Sequence, residues 1–125
     1  MPCLYRQAAE TFEQCLQLCR DFGNRLGEAY ALEGLSRTRH AAGDGAGAAE
    51  LLEEALPLFR ESGTPLDEAR AREGAARCLA PLGDRDAALA ELEEAVRIYR
   101  QVGAAQTLAA EAFLAELRTR GDSNP

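Results

Sequence analysis

The stretch GDGAGAAELLEEALPLFRESG at 43–63 returns forty positions later as GDRDAALAELEEAVRIYRQVG at 83–103. Gly43-Asp44 falls on Gly83-Asp84, Leu52-Glu53-Glu54-Ala55-Leu56 on Leu92-Glu93-Glu94-Ala95-Val96, and Phe59-Arg60-Glu61-Ser62-Gly63 on Tyr99-Arg100-Gln101-Val102-Gly103. The same offset carries Cys19-Arg20-Asp21-Phe22-Gly23 onto the end of the first copy and puts Ala8, Ala48 and Ala88 in one column. A constant step over three segments marks a repeat protein.

Each period reads as two helices. Ala48, Leu52, Ala55, Leu56 and Phe59 recur at three- and four-residue spacing, as do Ala88, Leu92, Ala95, Val96 and Tyr99, and the N-terminal copy Ala8, Phe12, Cys15, Leu16 and Cys19. That spacing lines one face of a helix. Gly23, Gly63 and Gly103 stand where one helix of each pair should stop in a left-handed cap, and Gly43 and Gly83 where the other should. Thr64-Pro65 predicts a capping hydroxyl before a proline at the first helical position, and Asn24, Asp44 and Asp84 are the other expected caps. The expected helices run over 4–22, 26–42, 46–61, 65–82, 86–102 and 105–119. Pro57 removes one backbone hydrogen bond from the third, which predicts a kink or an end to its regular part. The expected domain covers 1–120, divided into a half repeat 1–23, full repeats 24–63 and 64–103 and a terminal helix 104–120, before a frayed tail at 121–125.

These residues resemble tetratricopeptide repeats. Ala48-x3-Leu52-x2-Ala55, Ala88-x3-Leu92-x2-Ala95 and Ala8-x3-Phe12-x2-Cys15 match the small–large–small pattern of that family's second helix, and Leu32-x2-Leu35-Ser36 the large-then-small pattern of its first. The sequence departs from the family at Arg39, where an aromatic is usual, and at Arg72 and Ala75-Ala76. The forty-residue period is similar to the longer-helix variety found in C-terminal regions of large bacterial transcriptional regulators and signalling ATPases; HEAT-like repeats share that length and are the alternative. The resemblance implies an all-α fold of antiparallel helix pairs stacked as a short solenoid. It also implies a protein–protein interaction module, regulatory or scaffolding, with a concave groove for a peptide or protein. Counted this way the sequence holds a second-type helix, two complete pairs and a first-type helix. The outer faces want cover, so the expectation is self-association through the open repeat ends or a place in a larger regulator.

Composition narrows the classes. Apolar residues make up 46% and charged residues 28% of 125 positions, a balance for one folded, soluble domain. No apolar run approaches a membrane span or a secretion signal, and the expected location is the cytoplasm. A net charge of −7 opposes direct binding to nucleic acid or an anionic membrane. All fourteen basic residues are arginine.

In the resembled family the first helix of each pair lines the groove. Tyr30, Glu33, Arg37 and His40 share that face, followed forty residues on by Arg70, Glu73, Arg77 and Ala80. Three arginines suit an acidic or C-terminal peptide segment, because guanidinium holds carboxylate through paired hydrogen bonds. The bland reading is that Glu33 with Arg37, and Glu73 with Arg77, are solvated pairs four residues apart. Phe113 extends the same face as an apolar anchor or packs as core against Tyr99 or Ile98; spacing leaves both open. Cys15 and Cys19 with Cys3 or His40 have the elements of a zinc site, but their spacing also fits the apolar stripe, and burial as small hydrophobes is the expectation, with Cys78 facing inward on the fourth helix. No metal, cofactor or catalytic residue is expected. His40 is the only histidine, no nucleophile elbow is present, and the glycine-rich Gly43–Gly47 lacks the lysine of a phosphate loop.

Overall fold

Gly23, Gly43, Gly63, Gly83 and Gly103 all take positive φ, from 66° to 91°, in the computed structural model, which describes residues 2–122. This left-handed conformation is open to glycine and strained for a residue with a Cβ, so it stops each helix where the repeat requires. The helices are α1 (Cys3–Asp21), α2 (Arg25–Ala41), α3 (Gly45–Glu61), α4 (Pro65–Leu79), α5 (Arg85–Val102) and α6 (Thr107–Asp122). There is no strand among the described residues.

The starts follow the expected side chains with one exception. Asn24 Oδ1 accepts from Gly27 N at 2.9 Å, Asp44 Oδ1 from Gly47 N at 2.9 Å, and Asp84 Oδ1 from Ala87 N at 3.4 Å. Thr64 does not cap α4; its hydroxyl donates instead to the carbonyl of Phe59 at 3.0 Å. A hydroxyl, unlike the carboxylates of Asp44 and Asp84, has a hydrogen to give, and Phe59 O, which already accepts the N–H of Thr64 at 3.2 Å, takes it as a second donor.

The ends of α4 and α6 and the course of α3 differ from the sequence reading. α4 gives way to a 3₁₀ turn at Ala80–Leu82, because Pro81 has no N–H for the carbonyl of Arg77. α3 runs on through Pro57 to Glu61, so its regular part does not end at the proline. Pro57 and Glu53, whose carbonyl loses its donor, both lie on the exposed side, where a missing helix bond costs least because the carbonyl is open to solvent. α6 starts at Thr107 rather than 105, since Ala104 O first accepts both the N–H and the hydroxyl of Thr107. It includes Gly121 and Asp122, which were expected in the tail; residues 123–125 of that tail lie outside the described residues.

Three-residue turns at 22–24, 42–44 and 62–64 send each of these helices back along the previous one, and extensive packing runs between consecutive helices. The repeated columns form the core. Ala48 and Ala88, Ala55 and Ala95, and Phe59 and Tyr99 are fully buried. Large residues of one helix settle onto glycines of the next. The ring of Phe12 leaves no room for a Cβ at Gly34, and Leu52 Cδ1 would lie 3.2 Å from a Cβ at Gly74, forty residues on.

The first helix breaks the column pattern. Leu18 is 57% exposed, against 6% for Leu58 and 4% for Ile98. Cys15 is exposed and Cys19 only half-buried, which corrects the expectation that both are buried. Among the described residues no helix precedes α1, so the side that α2 covers on α3 stays open here. Ala8 is half-buried for the same reason.

One apolar pair is exchanged for an ionic one between copies. Leu32 is fully buried in the cluster that Leu51 packs against, and their partners forty residues on are Arg72 and Glu91. Arg72, with 12% of its side chain exposed, donates to Glu68 at 3.0 Å and to Glu91 at 3.3 Å. Burial pushes the Glu91 carboxyl above the usual carboxylate range; Glu53 adds to the shift, and Arg72 opposes it without cancelling it.

Candidate functional site

Glu33, Arg37, His40, Arg70 and Arg77, five of the eight expected groove residues, line one cavity of about 340 Å³ with Ser36, Leu52, Gly74 and Cys78. They meet because α2 and α4 both expose the residues that stand away from α3, one helix supplying Glu33 to His40 and the other Arg70 to Cys78. The last four lining residues were missed in the sequence. Gly74 carried a signal, being a helix-interior glycine that repeats Gly34 at the period of the fold. Tyr30, Glu73 and Phe113 are not among the lining residues of this cavity.

Tyr30 works as a strut. Its hydroxyl donates to Asp67 Oδ2 at 2.6 Å, and its ring meets Phe59 edge-on at 5.4 Å between centroids. The hydrogen bond to Asp67, with burial second, raises the pKa of the phenol. The arginines are matched on their own helices, as the bland reading has it. Arg37 pairs with Glu33 at 3.1 Å, Arg70 with Asp67 at 2.5 Å and Arg77 with Glu73 at 2.8 Å. In each pair the acid lies inward and the guanidinium outward, with exposures of 14% for Glu33 against 70% for Arg37. Three acids balance three arginines, so these pairs add no net charge to the face and turn their positive ends outward.

At the inner end of this face the copies differ by one hydroxyl. Tyr99 OH donates to Glu73 Oε1 at 2.7 Å, and burial, with that carboxylate second, holds the phenol well above its ordinary pKa. The counterpart of Tyr99 is Phe59, which has no hydroxyl, and the counterpart of Glu73 is Glu33. Glu33 Oε2 is buried without a hydrogen-bond partner. Unpaired buried oxygens of this kind cost about 1–3 kcal/mol.

Phe113 packs as the core reading has it. It is half-buried against the cluster containing Ile98 and Tyr99, and the guanidinium carbon of Arg77 lies 4.5 Å from its ring centroid. His40 Nδ1 stands 3.5 Å from Cys78 Sγ. Cys78 is buried as expected, and desolvation raises its thiol pKa, the opposite of what a nucleophilic cysteine needs. No group of three or more His, Cys, Asp or Glu side chains is arranged for a metal ion among the described residues. No described helix is long and apolar enough to cross a membrane. Neither a model of a known protein family nor any curated protein matches the chain.

Proposed function

We propose that the chain is a non-enzymatic, tetratricopeptide-like repeat module, stacked as a short solenoid in the cytoplasm, that binds a peptide or protein partner along the face shared by α2, α4 and α6. The observation that carries this reading is the cavity between α2 and α4, with a floor of Leu52 and Gly74 and a rim of arginines. Packing confined largely to consecutive helices supports the stacked arrangement, since in a solenoid each unit leans on its neighbours. Four free cysteines suit a reducing compartment. Each guanidinium uses only part of its five N–H donors on its own helix and keeps the rest for a carboxylate of the partner.

The test is an array of immobilised peptides of varied charge, probed with labelled protein. The double variant Arg37→Glu/Arg77→Glu should lose capture of carboxylate-bearing peptides by tenfold or more, on the order of 1.4 kcal/mol, while neutral peptides are unaffected. Equal capture of every peptide by both proteins would remove the groove.

A second reading, self-association, is favoured by the open side of α1, where Leu4, Leu18 and Phe22 are 73%, 57% and 84% exposed. Multi-angle light scattering at high concentration should then show dimers that Leu18→Glu abolishes. A monodisperse monomer of the unaltered protein would end it.

A further inference from the structure

We infer that the cavity between α2 and α4 receives an aromatic side chain of the partner, laid against the guanidinium of Arg37. This rests on the groove reading above and specifies what enters it. The molecule already contains the occupied version. One step along the stack, between α4 and α6, the ring of Phe113 lies beneath Arg77, the residue forty positions after Arg37.

The correspondence runs through the backbone of α6. Its buried residues Ala110, Leu114 and Leu117 each stand thirty-nine positions after Ala71, Ala75 and Cys78, three of the six buried residues of α4. The same step carries Gly74 to Phe113. Where α6 presents a ring to Arg77, α4 presents a glycine to Arg37, and the space is the cavity. A void of about 150 Å³ with apolar walls accepts benzene, and this one measures about 340 Å³, with Leu52 below. Arg37 has 70% of its side chain in solvent, so its planar face is free to close over a ring. An aliphatic side chain would fill the same floor but gain nothing from the guanidinium.

The experiment titrates the full, 15N-labelled chain with N-acetyl-tyrosinamide, N-acetyl-phenylalaninamide and, as the aliphatic control, N-acetyl-leucinamide. Both aromatic amides should move the backbone resonances of Arg37, Gly74 and Cys78 to saturation, and the leucine amide should bind more weakly. Arg37→Ala should reduce aromatic affinity about three- to fivefold and leave leucinamide unchanged. Gly74→Leu, which fills the space, should abolish the response; if that variant does not fold, Arg37→Ala decides, since Arg37 is largely exposed. Equal binding of leucinamide, or an Arg37→Ala variant that loses nothing, overturns the aromatic inference and leaves the groove standing. Silence at these resonances with all three amides overturns the cavity as a receptor, and the charge-reversal array then judges the groove separately.

Discussion

Replacing Phe59 by alanine is expected to destabilise the fold by about 3–5 kcal/mol, against a total of roughly 5–15 kcal/mol for a domain of this kind. Phe59 is fully buried between helices of adjacent pairs and supports the ring of Tyr30, which braces α2 to α4 through Asp67. The void opens where α2, α3 and α4 converge, and no neighbour can fill it without breaking the repeat spacing. Urea denaturation followed by circular dichroism measures the loss as a lower midpoint at unchanged slope. The conservative variant is more discriminating. Phe59→Tyr should stabilise by about 1–2 kcal/mol, because the new hydroxyl stands toward Glu33 Oε2 as that of Tyr99 stands toward Glu73. Tyr99→Phe should cost a similar amount. A destabilised Phe59→Tyr protein would mean that the two positions are not equivalent.

The second large effect concerns the charged pair that replaces two leucines. Arg72→Leu should cost about 2–4 kcal/mol, since it strands Glu91, and leaves Glu68 with Arg60 alone at 3.5 Å. Adding Glu91→Leu should return most of that loss and bring stability to or above the starting level, as the pair then repeats Leu32 and Leu51. The raised pKa of Glu91 supports this, because its burial outweighs what Arg72 returns. A carboxyl bound to its proton more tightly in the folded state adds stability below its unfolded pKa, and that contribution is lost as pH rises through the folded value. The double variant should therefore lose one component of the decline in stability over weakly acidic pH. A double variant less stable than Arg72→Leu alone would show that the ion pair is a net asset.

Much of the fold was legible in the sequence. The helices came within two or three residues of their observed ends because glycine in the left-handed region, Asn24, Asp44 and Asp84 at the caps, and 3.6-residue spacing act over a single turn. Thr64 misled because a hydroxyl can donate as well as accept, and here it joins its own N–H on the carbonyl of Phe59. Cys15 misled because the stripe shows which face is apolar but not whether anything lies against it. The site was half legible. The arginine face followed from the family resemblance and its copy from the period, while Gly74 and Leu52 belong to the floor only because α3 and α4 approach closely where a side chain is missing.

The chain by itself determined an all-helical fold, its five left-handed stops and the forty-residue step, since each is a property of neighbours within one turn or of the spacing between copies. Tertiary structure alone decided that Arg77 covers a ring while Arg37 stands over a cavity, that Glu33 has an oxygen without a donor, and that Arg72 finds Glu91. The two contacts join residues thirty-six and nineteen positions apart, and they depend on the ångström-scale separation of packed helices, which small differences such as glycine for phenylalanine reset.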